Sequence, residues 1–233
     1  FILKISADID YKPFFKIEPL SSREFRSQRI NILDHTAIVF SARTTIDAFF
    51  LLCEELRVKV PETMKYFCTT EAVANYLQKH IVYRKRKIFF GDGKPESIIG
   101  LIGTKHKGEK FLIATKLSNF AQEFWSREAS IKMYHNSFKE LQVDTIDYML
   151  LHSIGGTNGE YNSTQTFEKR YIENGILDFL LEERAKGKIR NLGFSYHGDI
   201  AIFDRALAMH DKCKWDFVQI QMNYVDWLHA KEV

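Results

Sequence analysis

Four polar residues stand where apolar, strand-like runs end, and their types could move a proton or hold a polar ligand. The run Phe111-Leu112-Ile113-Ala114 leads into Thr115 and Lys116, and Ile146-Asp147-Tyr148-Met149-Leu150-Leu151 leads into His152. Ile189-Arg190-Asn191-Leu192-Gly193-Phe194 leads into Ser195, and Gln219 sits within Phe217-Val218-Gln219-Ile220-Gln221. A lysine at the end of a buried strand is costly unless it meets water, a partner or a substrate. In a (β/α) barrel such strand ends converge on the active site. There a lysine can lower the pKa of a neighbouring acid, and a histidine can donate a hydrogen bond to a carbonyl oxygen. Taken singly, each residue also has a structural reading. His152 could cap or fill a core, Lys116 could extend to solvent, and Gln219 could satisfy a loop.

A second group lies earlier. Thr36–Phe40 runs into Ser41, and Lys65–Cys68 runs into Thr69 and Thr70. Hydroxyls at helix starts can bind anions such as carboxylates, and they also serve as ordinary N-caps. The run Tyr83-Arg84-Lys85-Arg86-Lys87 could attract acidic ligands or be a solvated loop. GDGK at 91–94 and GGTNG at 155–159 lack phosphate-loop spacing and read as flexible turns.

These residues need a frame. The 233 residues are 45% hydrophobic, which excludes a disordered chain and allows one or two domains. A net charge of +3 gives no case for a nucleic-acid surface. Three cysteines without paired spacing, Cys53, Cys68 and Cys213, suggest a reduced, cytoplasmic protein. The eight histidines form no HxH or HExxH, so no metal site is expected. No apolar run reaches the roughly 18 residues of a membrane span. The opening FILKIS does not read as a signal peptide, and both ends read as cut.

Strand candidates lie at 11–17, 36–41, 65–68, 87–91, 110–115, 146–151, 189–194 and 216–222. Helix-like segments alternate with them: 21–33, 44–57, 70–80, 95–106, 126–142, 175–187 and 199–210. Ile131, Tyr134, Phe138 and Leu141 recur at helical spacing behind a plausible Ser126 N-cap, and Gly187 suits a helix end. This alternation predicts an α/β protein with parallel sheet.

The stretches ATKLSNF, LQVDTIDYMLLHS, LLEERAKGKIRNLGFSYHG and FVQIQMNY resemble the aldo/keto reductase family over about residues 112–233. The resemblance implies a TIM barrel, a nicotinamide cofactor, usually NADPH, and a small carbonyl substrate. It matches Lys116 and His152 to the family's catalytic lysine and histidine, and Ser195 and Gln219 to residues that hold the nicotinamide carboxamide. The family's aspartate and tyrosine come from an earlier strand. Here the nearest aspartate is Asp92, and Ser97 stands where a tyrosine would follow.

The first half, over about residues 5–113, resembles uroporphyrinogen-III synthase. The stretches are HTAIVFSARTTIDAFF, CEELRVKVPETMKYFCTTEAVANYLQKH and YRKRKIFFG. This implies a flavodoxin-like domain and a linear tetrapyrrole substrate whose carboxylates Ser41, Thr69 and Thr70 would hold, without a cofactor. Together the two resemblances predict a partial flavodoxin-like parallel α/β unit (1–113) followed by a partial TIM (β/α) barrel (114–233) that supplies strands 3 to 6. Such a composite is expected to be a catalytically incomplete carbonyl oxidoreductase fused to a synthase-like (lyase) fragment; the alternatives are a uroporphyrinogen-III synthase that cyclises hydroxymethylbilane and a composite that retains neither activity. Its small-molecule partners would be a carbonyl compound or a tetrapyrrole, with no nucleic acid and no membrane. Uncovered apolar edges predict self-association.

Overall fold

The structure is a computed structural model that describes residues 18–82, 84–105 and 111–221. The chain forms two compact units, Phe1–Asp92 and Gly93–Val233. The strand expected at 11–17 lies outside the described residues.

In the first unit, Ser21 caps the short helix α1 (Ser22–Ser27) in a reciprocal capping box with Glu24. β1 (Ala37–Phe40), β2 (Lys65–Cys68) and β3 (Ile88–Phe90) follow as a parallel sheet in the order β1-β2-β3. Helices α2 (Arg43–Glu55) and α3 (Glu71–Tyr76) occupy the crossovers that parallel strands require. The core gathers Phe40, Ile46, Met64, Tyr66, Cys68 and Leu77. Tyr76 donates to Asp47 at 2.7 Å and His80 meets the same carboxylate at 2.9 Å, which ties α2 to the α3 region. Three strands in sequential order show no strand-order reversal among the described residues, the feature that defines a doubly wound sheet.

The second unit opens with α4 (Pro95–Lys105), β4 (Ala114–Leu117) and α5 (Arg127–Leu141). It continues through β5 (Ile146–Ile154), α6 (Ser163–Phe167), a π-helical turn (Glu168–Ile172), α7 (Ile176–Ala185) and β6 (Ile189–Tyr196). α8 (Ile200–Ala208), α9 (His210–Cys213) and β7 (Phe217–Ile220) follow among the described residues. The strands form one open parallel sheet, β4-β5-β6-β7, consistent with part of a (β/α) barrel. A single core runs through it, with Leu117, Tyr134, Ile146, Met149, Leu151, Leu180, Leu192 and Phe194 buried. Ser126 caps α5 by accepting from the Ala129 N–H at 3.1 Å. Gly187 follows α7 at φ +76°, a conformation that favours glycine.

The run Phe111-Leu112-Ile113-Ala114 is not a buried strand. Phe111 and Leu112 are 45% and 67% exposed, and only Ile113 is buried. The Ile113 N–H goes to the Asp147 carboxylate at 2.8 Å, and the ladder begins one residue later with Ala114 opposite Tyr148. The segment 163–172, left without structure by the apolar pattern, is helical. The described residues contain no helix long and apolar enough to cross a membrane and no cluster of metal-ligating side chains. All three cysteines are free and buried, and burial pushes the Cys68 thiol up to about 11.

Candidate active site

Strand register sets the site. Lys116 pairs with Leu150, Leu150 with Gly193, and Ser195 with Gln219. Because side chains alternate along a strand, Ala114 and Lys116 share one face of β4 while Leu117 points into the helix-covered core. The face away from that core borders a cleft of about 900 Å³. Lys116, His152 and Gln219 line it, together with Ser118, Glu96, Tyr148 and Phe217. That volume lies in the range of small-molecule pockets.

Gly193 lets the cleft exist. A Cβ there would collide with the Phe217 carbonyl oxygen and come within 2.9 Å of the Phe217 ring. Without it, Phe217 lies across β6 and meets Tyr148 edge to face, with ring centroids 5.3 Å apart. The two rings give the floor an apolar, aromatic surface.

His152 is held from several sides. Its Nδ1 lies 2.5 Å from the Ser118 Oγ, and the Phe120 ring stands against it at 4.5 Å. Its carbonyl oxygen accepts from Arg170 at 2.9 Å and from the Tyr171 hydroxyl at 3.0 Å. Burial, followed by the positive charges of Lys116, Arg170 and His197, lowers the pKa of His152 to about 4. The ring is therefore neutral near pH 7. A neutral imidazole carries one N–H, so it can donate to a carbonyl oxygen without delivering a full charge.

The residues singled out in the sequence divide. Lys116, His152 and Gln219 meet at the cleft. Ser195 is 2% exposed, and its hydroxyl oxygen accepts from the Ser153 N–H at 2.7 Å, beside an irregularity in the β5–β6 register. Ser97 donates to the Lys94 carbonyl at 2.9 Å. In the first unit, Thr69 donates to the Ser41 carbonyl at 3.1 Å, and Thr70 caps α3 through the Val73 N–H at 3.3 Å. Those hydroxyls thus serve backbone groups.

Several residues in the cleft or behind it escaped the sequence reading. Glu96, in the first turn of α4, accepts from the Thr115 hydroxyl at 2.5 Å. Tyr148 had a signal, because it is two residues ahead of Leu150 and so shares the open face of β5. Arg170, in the π-helical turn, is 3% exposed beneath the end of β5. π-helical turns occur often at functional sites.

The Aldo/keto reductase family profile matches residues 63–233, and the chain belongs to this family. The match begins at residue 63, inside the stretch expected from its sequence to be synthase-like, so residues 63–113 fall within the reductase family. The comparisons give that second resemblance no support. No curated protein matches the chain. Among solved structures, the chain is similar to an aldo/keto reductase from Brucella melitensis, with 18% identity over 60% of this chain and 51% of that one and a TM-score of 0.40. It is also similar to a Bombyx mori aldo-keto reductase in complex with NADP, with 19% identity over 68% and 44% and a TM-score of 0.35. A third, from Bacillus halodurans, has 23% identity over 55% and 39% and a TM-score of 0.34. The chain spans about half the length of these structures, or less.

Proposed function

We propose that the second unit carries part of a nicotinamide-dependent site that reduces a small carbonyl compound. The observation that carries this reading is the meeting of Lys116, His152 and Gln219 at one cleft of about 900 Å³ in a chain of the aldo/keto reductase family. The cleft suits the nicotinamide end of NADPH in size and lining. The Gln219 amide has a donor and an acceptor to offer a carboxamide, and Phe217 and Tyr148 supply aromatic surface. When bound, the reduced nicotinamide supplies hydride. The protein's own part is electrostatic. Neutral His152 donates a hydrogen bond to the carbonyl oxygen, and the Lys116 ammonium stabilises negative charge that develops there. Tyr148 is the hydroxyl we assign as the proton source. The expected rate is low, because no aspartate–tyrosine pair of the family's kind precedes Lys116 in the sequence.

The test is titration of the chain into NADPH, followed by addition of a small aldehyde under single-turnover conditions. Expected are a change in NADPH fluorescence and a slow loss of absorbance that His152→Ala and Lys116→Met abolish. No change in fluorescence at saturating protein, or turnover that survives both substitutions, would overturn the reading.

A further inference from the structure

Ser118 has no role in the chemistry above, yet its hydroxyl makes the shortest contact to His152. We propose that Ser118 is a positioning residue that fixes the tautomer of His152, holding the ring proton on Nε2 and so making Nε2–H the group offered to the cleft. The inference deepens the proposed function, since it rests on His152 as the donor to the carbonyl.

Three observations carry it. First, the Ser118 Oγ has one proton and two polar neighbours, His152 Nδ1 at 2.5 Å and the Lys116 carbonyl at 3.5 Å. The second distance is at the edge of a hydrogen bond, so the proton goes to Nδ1. A ring nitrogen that accepts is unprotonated, and in a neutral imidazole the other nitrogen must then carry the hydrogen. Second, the ring cannot easily turn away. Phe120 stands against it at 4.5 Å and 60°, and Arg170 and Tyr171 hold the residue's carbonyl. Third, Asn119, between Ser118 and Phe120, is fully buried and locked. Its amide donates to the Arg170 carbonyl and the Ser130 hydroxyl, while its oxygen accepts from the Arg170 guanidinium. The tripeptide Ser118-Asn119-Phe120 is thus a rigid arm that fixes one side of His152. Outer partners that fix tautomer and orientation serve metal-bound histidines in the same way.

The pairing could instead suggest a serine nucleophile with a histidine base. Neutral His152 is too weak a base for that, because its surroundings already oppose a positive charge.

The decisive measurement is ¹⁵N NMR of the full chain labelled at histidine, with the His152 signals assigned by their loss in His152→Asn. In the parent protein near pH 7, Nδ1 is expected in the unprotonated range and Nε2 in the protonated range. Ser118→Ala should average the two signals as both tautomers become populated, and Ser118→Thr, which keeps the hydroxyl, should restore the single form. A parent protein with the proton on Nδ1, or a Ser118→Ala variant that keeps a pure Nε2–H form, would overturn the proposal. If Ser118→Ala does not fold, the parent spectrum alone decides. The readout needs no turnover, so failed carbonyl reduction with a Ser118-dependent tautomer would count against the proposed function and not against this role.

Discussion

The Arg170 guanidinium, 3% exposed, donates to the main-chain carbonyl of His152 at 2.9 Å. Its other acceptors are neutral too: Asn119 Oδ1, the Ser153 carbonyl and the Tyr171 hydroxyl. A buried cation with neutral acceptors is tolerable only where its donors are well satisfied. The arrangement ties the π-helical turn to the end of β5, where the candidate catalytic histidine stands.

Arg170→Leu should therefore destabilise the second unit more than its loss of surface suggests. The Asn119 oxygen would lose its donor, at about 1–3 kcal/mol for a buried group left unsatisfied, while the His152 carbonyl would keep the Tyr171 hydroxyl alone. Arg170→Lys should recover only part of the loss, because an ammonium cannot span the same fork of acceptors. Urea unfolding midpoints check this, and a lysine variant as stable as the parent would refute it.

His152 should make stability depend on pH. Its folded pKa is lowered to about 4, from the ordinary histidine value of 6.5. Between these values the unfolded chain binds more protons than the folded one, so stability rises with pH. The contribution is fully present above about pH 6.5 and fades as pH falls toward 4. The causes are burial first, then Lys116, Arg170 and His197. Urea midpoints measured at pH 7 and pH 5 should converge in His152→Gln relative to the parent. An unchanged difference would show that His152 is not the group responsible.

Much of the second unit was legible because its signals are local. β5 and β6 carry long apolar runs, α5 shows helical spacing, and the register then brings Lys116, His152 and Gln219 to one side. Arg170 was not legible. In Phe167-Glu168-Lys169-Arg170-Tyr171 a cation reads as solvated, and only the tertiary fold buries it. The helix before it did leave a mark, since Asn162 and Gln165 form a reciprocal capping box. The strand start near Ile113 was misread because three apolar residues in a row suggest burial, whereas a single side chain, Asp147, takes the N–H that the ladder would have used. The same carboxylate also meets Arg190 at 2.6 Å. In the first unit, the hydroxyls at 41, 69 and 70 fitted both anion binding and capping, and sequence alone could not divide the two.

Gly193→Ala should be poorly tolerated. The added methyl would meet the backbone of β7 at the Phe217 carbonyl, which cannot swing aside as a flexible side chain could. Overpacking of this kind costs about 1–3 kcal/mol, and more where backbone must move. The expected outcome is a lower thermal midpoint together with loss of the Tyr148–Phe217 ring contact, visible as a shift in aromatic circular dichroism. A variant that melts with the parent would show that β6 and β7 are packed less closely than the structure has them.

Tyr148 offers the sharpest test of the proposed chemistry. Reduction of a carbonyl needs a proton on the new alkoxide, and a positioned donor typically contributes roughly 10²–10⁴ in rate. Two other tyrosines of the second unit, Tyr134 and Tyr196, are committed elsewhere. Tyr134 is buried, donates to Glu183 at 3.1 Å, and has its pKa raised by burial and by that carboxylate. Tyr196 donates to the Gly198 carbonyl at 2.5 Å, and burial raises its pKa as well. Tyr148 lines the cleft with Lys116 and His152, on the strand that carries the histidine. Tyr148→Phe should keep the edge-to-face contact with Phe217, since only the hydroxyl is lost. It should leave the change in NADPH fluorescence intact and lower the single-turnover rate by roughly 10²–10⁴. Lys116→Met should abolish turnover whether Tyr148 is present or replaced, because the two act on one proton. Full turnover in Tyr148→Phe would mean that the proton comes from elsewhere.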